Sequence, residues 1–89
     1  MKIILEPLSG TPKANLDRAR VEIDRVLNFR GTVTSAKAKG DSIIVELEIN
    51  SKWDLPMTEK VELLKQWIPA KVKLSFKVLD VYLEDNAKS

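Results

Sequence analysis

Residues 42–49 alternate without a break. Ile43, Val45, Leu47 and Ile49 fall on one side, and Ile44, Glu46 and Glu48 on the other. A period of two sustained over that length belongs to a strand with one buried face. Upstream, Thr32, Val33 and Thr34 favour extended backbone, and Lys39-Gly40-Asp41 supplies a turn between the two stretches. Residues 31–50 therefore read as a β-hairpin. It anchors the fold and carries no chemistry of its own.

The flanking segments can be placed around that hairpin. Residues 2–8 are a short run rich in Ile and Leu, read as a buried strand and broken by Ser9-Gly10-Thr11-Pro12. Thr11 is suited to cap a helix, with Pro12 at the first helical position, where its missing N–H costs nothing. Over residues 12–27, Leu16, Ala19, Ile23, Val26 and Leu27 share one helical arc, while Arg18, Val21 and Arg25 point away. Asp17–Arg20 and Glu22–Arg25 are i,i+3 pairs of opposite sign. The same stretch also fits a strand, with Ala19, Val21, Ile23, Leu27, Phe29, Gly31 and Val33 on one face. The Thr-Pro start and the helix formers Ala14, Leu16, Arg18, Ala19 and Arg20 favour the helix, which leaves Phe29 and Gly31 to the strand that follows.

Beyond the hairpin, a loop over residues 50–57 contains Trp53 and Pro56. Thr58 is the expected cap of a second helix over residues 59–68, with Glu59 and Glu62 in its first turn and Pro69 as its stop. Its core stripe is Met57, Val61, Leu64 and Ile68. Residues 70–83 read as a last strand, with Val72, Leu74, Phe76 and Val78 on one face and Lys71, Lys73, Ser75 and Lys77 on the other. At Val78-Leu79 the phase slips to Leu79, Val81 and Leu83, which implies a bulge or a bend.

The order strand, helix, strand, strand, helix, strand is the β-α-β-β-α-β arrangement of an α+β, ferredoxin-like fold: a four-stranded antiparallel sheet with two helices. If residues 18–30 were strand, the chain would instead be an OB-like small β-barrel with one helix. With 89 residues the chain makes one domain, taken here as residues 1–84 with a flexible tail at 85–89.

Composition narrows the function. There is no Cys and no His, so thiol chemistry, imidazole acid–base chemistry and the commonest zinc ligands are excluded. Fifteen Lys and Arg against thirteen Asp and Glu leave a formal charge of +2. No apolar run approaches a membrane span, and Glu6-Pro7 ends the apolar N-terminal run too early for a signal peptide, so a cytoplasmic protein is expected. Glu46 and Glu48 share a strand face, but cross-strand lysines account for them as paired surface charge. The lysine stripe Lys71, Lys73, Lys77 lacks the stacking aromatics that a nucleic-acid-binding sheet carries on its central strands. No residue is nominated for catalysis, cofactor binding or metal ligation, and no small-molecule substrate is inferred.

Two surfaces remain. The leading expectation is a non-catalytic protein-interaction or assembly module, binding another protein or itself as a homo-oligomer. Trp53, Leu63 and Trp67 would form an apolar patch beside the second helix, and Leu79, Val81 and Leu83 an unpaired strand end open to strand addition. A continuous strand over residues 70–83 would reach about 46 Å, more than its neighbours match. The alternative is a sequence-tolerant nucleic-acid binder. Arg18, Arg25, Arg30, Lys37 and Lys39 belong to a stretch in which bases outnumber the acids Asp17, Glu22 and Asp24.

Overall fold

The computed structural model describes residues 1–83. Chain order is β1 (Lys2–Pro7), a single 3-10 turn (Lys13–Asn15), α1 (Leu16–Leu27), β2 (Gly31–Lys39), β3 (Ser42–Ile49), α2 (Met57–Val72) and β4 (Phe76–Tyr82). Among the described residues the strands form one antiparallel sheet in the order β2-β3-β1-β4. This is the expected ferredoxin-like α+β arrangement. The sheet is open, with β2 and β4 as its edges, and residues 16–27 are helical, so the OB-like barrel is ruled out. The tail expected at 85–89 lies outside the described residues.

The apolar patterns explain the layers. Ile3 and Leu5 from β1, with Ile43, Val45 and Leu47 from β3, point to one side of the sheet and are buried. Ala19, Ile23 and Leu27 from α1, Leu64, Ile68 and Val72 from α2, and Phe76 and Val81 from β4 complete the same core. At roughly 1.5–3 kcal/mol for each large apolar side chain removed from water, this one layer is the main source of stability. Thr11 Oγ1 accepts the Ala14 N–H at 3.2 Å, so the Thr-Pro start opens the 3-10 turn, while the α-helix itself begins only at Leu16 with Asn15 as its N-cap. The acid–base pairs expected along α1 do not close within 4.0 Å among the described residues.

The expected phase slip in β4 is a bulge. Leu5 lies opposite Val78 and Ile4 opposite Asp80, so Leu79 is the extra residue, and Val81 returns to the core. A second irregularity falls in β2 between Val33 and Ser35.

The last third of the chain departs from the expectation. The second helix begins at Met57, with Pro56 in extended conformation as its N-cap instead of Thr58, and it runs through Pro69 to Val72. Met57 is exposed rather than in the core stripe. The last strand begins only at Phe76. Its pairing with β1 ends there: Phe76 lies opposite Pro7, the final residue of β1, and one further backbone hydrogen bond, from Leu8 N–H to the Ser75 carbonyl at 3.0 Å, closes the ladder. In the helix, Val72 instead follows Leu64 and Ile68 at four-residue spacing into the core. Lys71 thus sits on α2, and Leu74, expected inside, is 88 % exposed in the turn. The strand end at 79–83 is not unpaired either. Asp80, Val81 and Tyr82 lie opposite Ile4, Ile3 and Lys2.

Candidate functional site

Both helices cover the same face of the sheet, α1 against β2 and β3 and α2 against β4, and they touch each other. Their meeting line ends at a corner where two connections come together: residues 28–30, linking α1 to β2, and residues 50–56, linking β3 to α2.

The first connection is forced to be abrupt. Gly31 already belongs to β2, and a Cβ there would lie 2.6 Å from the Glu48 carbonyl oxygen. The chain must reverse in the three residues between Leu27 and Gly31. It does so with two successive left-handed residues, Asn28 at φ 47° and Phe29 at φ 70°. Asn adopts this conformation readily, but for a bulky aromatic it is an outlier. The turn is held by Asn28 N–H to the Asp24 carbonyl (3.1 Å) and Arg30 N–H to the Leu27 carbonyl (2.9 Å). Asn50 ties it to the second connection. Its N–H donates to the Arg30 carbonyl at 2.8 Å, and its side-chain Nδ2 donates to the Phe29 carbonyl at 3.1 Å. Phe29, assigned above to a strand, instead stands 90 % exposed on this turn.

The second connection folds back over α2. The Trp53 and Trp67 rings stack with centroids 5.9 Å apart and planes 20° from parallel. The Arg30 guanidinium carbon lies 5.7 Å from the first centroid and 5.2 Å from the second. Lys60 Nζ lies 5.9 Å from the Trp53 centroid and donates to the Asn50 carbonyl at 3.4 Å. Lys60 is only 5 % exposed. Each indole thus faces a cation of the same chain, an attraction worth about 0.5–2 kcal/mol per contact.

Between α1 and α2, beside this stack, lies a hollow of about 450 Å³ lined by Glu22, Arg25, Val26, Asn28, Arg30, Trp67 and Lys71. A second hollow of about 480 Å³ shares Arg25 and Asn28 with the first and is walled by Phe29, Thr32, Asn50 and Asp24. Among the described residues, none of Arg25, Arg30, Lys60 and Lys71 forms an ion pair within 4.0 Å. The corner therefore gathers four cations against two carboxylates, Glu22 and Asp24, and carries a net positive charge.

The open face of the sheet is the opposite case. Lys2 Nζ lies 3.4 Å from Glu46, and the Ser35 hydroxyl donates to the same carboxylate at 3.1 Å. The Ser35 hydrogen bond first, then Lys2, hold the Glu46 carboxyl below its ordinary pKa. Of the expected cross-strand pairing on this face, the Lys2–Glu46 pair is present, while Glu48 forms no ion pair within 4.0 Å among the described residues and Lys71 and Lys73 lie off the sheet.

The structure joins two residue sets that the sequence kept apart. Trp53 and Trp67, from the apolar set, meet Arg25 and Arg30, from the basic set, at one corner. Leu63 is half-buried one turn before Trp67. Leu79, on the edge strand, and Leu83, just past its end, are each 45 % exposed, and Val81 is in the core; none of the three lines either hollow. Arg18 is exposed on α1. Lys37 and Lys39 do not join the corner, because Lys39 is about 26 Å along β2 from Gly31 at ~3.3 Å per residue. Phe29, Asn50 and Lys60 were not singled out from sequence, and Lys71 only as one member of a lysine stripe on the expected last strand. The one local signal for the turn was Asn28 placed just after the last apolar residue of a helical stripe.

Among the described residues no helix is long and apolar enough to cross a membrane, and no group of three metal-ligating side chains forms. No family model, no curated protein and no solved structure matches this chain.

Proposed function

We propose that this domain is a non-catalytic, sequence-tolerant nucleic-acid-binding module that works through the α1–α2 corner. The observation that carries the reading is the trio Arg25, Arg30 and Lys71 around one hollow that holds a single carboxylate, Glu22, with no ion pair closed within 4.0 Å among the described residues. Holding several like charges together with less counter-charge than they need is unfavourable, and a polyanion relieves it while releasing its own counterions. Arg30 is fixed against two indoles, so little side-chain freedom is lost when its guanidinium engages a phosphate. The Glu46 carboxyl, held ionised by Ser35 and Lys2, is suited to surface pairing and not to proton transfer near neutral pH.

The test is fluorescence anisotropy of a labelled deca-thymidine titrated with the protein over a range of salt. About three phosphate contacts give a slope near −2 in log K against log salt for a single strand. Arg25→Glu and Lys71→Glu should each weaken binding at least tenfold and flatten that slope. Absence of binding at low salt, or charge reversals without effect, would remove the proposal.

Protein association keeps one observation in its favour: β4 is an edge strand with Leu79 and Leu83 half in solvent. Strand addition by a second copy would use that free edge. Light scattering behind size exclusion decides it. A monomer, or an oligomer unaffected by Leu79→Lys, would dismiss this second reading.

A further inference from the structure

Phe29 is hard to explain as part of the scaffold. A glycine or asparagine would make the same turn without strain, and the ring is 90 % exposed, so it adds almost nothing to the core. Its position has a consequence for binding. The residue walls the second hollow, whose shared members Arg25 and Asn28 lead directly into the cationic one. Asn50 fixes the backbone beneath it through the Phe29 carbonyl.

We infer that Phe29 is a base-stacking platform, and that it commits the corner to single strands. This rests on the nucleic-acid reading above and adds the element which that reading lacks. Arg25, Arg30 and Lys71 hold the backbone, and the next base turns out onto the Phe29 ring in the adjoining hollow. A free aromatic face beside a cationic track is the combination that binds single strands with little sequence preference, because every base presents a π-face. The two tryptophans do not fill this role, since each indole already faces its partner ring and a cation. In a duplex the base faces are stacked on one another and out of reach of a side chain on an exposed turn.

The experiment compares deca-thymidine with a hairpin duplex of equal phosphate count, using wild type, Phe29→Ala, Phe29→Leu and Phe29→Tyr. Wild type should prefer the single strand about tenfold. Phe29→Ala and Phe29→Leu should lose that preference while keeping the salt slope, and Phe29→Tyr should retain it. Equal binding of both forms by wild type, or a preference untouched by Phe29→Ala, overturns the stacking role and leaves the cationic reading standing. Failure of both nucleic acids to bind overturns both. Poly-glutamate that displaces deca-thymidine from wild type and Phe29→Ala equally well would mark a site for anions in general, and would also end the stacking proposal.

Discussion

Two connections in this domain reverse the chain through left-handed backbone, and they do it with opposite residues. The hairpin turn between β2 and β3 uses Gly40 at φ 59°, in open space with nothing near the position of a Cβ. The link from α1 to β2 uses Asn28 and Phe29 at φ 47° and 70°. At the hairpin, geometry alone is required, and glycine meets it. At the corner the same geometry is required, yet an exposed aromatic occupies it and four backbone or side-chain hydrogen bonds hold the turn there. A strained residue that returns no packing is best explained by what it offers to a ligand. The charges divide in the same way. On the open sheet face, Glu46 is shared between Lys2 and Ser35, whereas at the corner the cations form no ion pair within 4.0 Å among the described residues.

Substitutions can break or sharpen this contrast. The largest effect is expected for Gly31→Ala, which forces the turn away from the Glu48 carbonyl and should lower stability by about 3 kcal/mol in urea unfolding. A neutral result would mean that the link is not pinned where β2 begins, and the strain at Phe29 would lose its cause. Gly40→Ala comes next, at about 1–2 kcal/mol for a Cβ in left-handed backbone. Phe29→Gly should run the other way and stabilise the fold by about 1 kcal/mol, by relieving that same penalty. If Phe29→Gly destabilises instead, the ring supports the fold and the two turns differ less than they appear.

The smallest effect belongs to the sheet face. Ser35→Ala removes the leading cause of the lowered Glu46 pKa, so the carboxyl should titrate closer to its ordinary value in an NMR pH series. The sign follows from linkage. A carboxyl lowered on folding adds stability that is fully present above its unfolded pKa and is lost as pH falls through its folded one. The acid-side loss of stability should therefore shrink in Ser35→Ala. An unchanged Glu46 titration would show that the lysines Lys2 and Lys37 set it without Ser35.

Trp67 illustrates how far side-chain patterns carry function. Read along α2, Trp67 lies outside the core stripe and resembles a free docking residue. In the fold it packs against the core and is stacked by Trp53, which arrives from the preceding loop. Its wide apolar arc reflects a local companion fourteen residues earlier in the chain. The basic residues behave similarly. Arg25 and Arg30 reach a common hollow because the link between them turns back, while Lys37 and Lys39 are carried off along β2.

By itself the sequence determined the hairpin, the buried faces of β1 and β3, the helix α1 and the β-α-β-β-α-β order. Each of these rests on periodicity over neighbouring residues, and burial of one face enforces that periodicity wherever the element packs. Tertiary structure decided where α2 gives way to β4, since Val72 and Leu74 fit either pattern and only the end of the β1–β4 ladder, at Leu8 and Ser75, sets where a strand partner exists. It also decided the corner. Phe29, Asn50, Lys60 and Trp67 are distant in sequence and follow no shared period. They meet because two connections at the same end of the sheet must cross the same small volume.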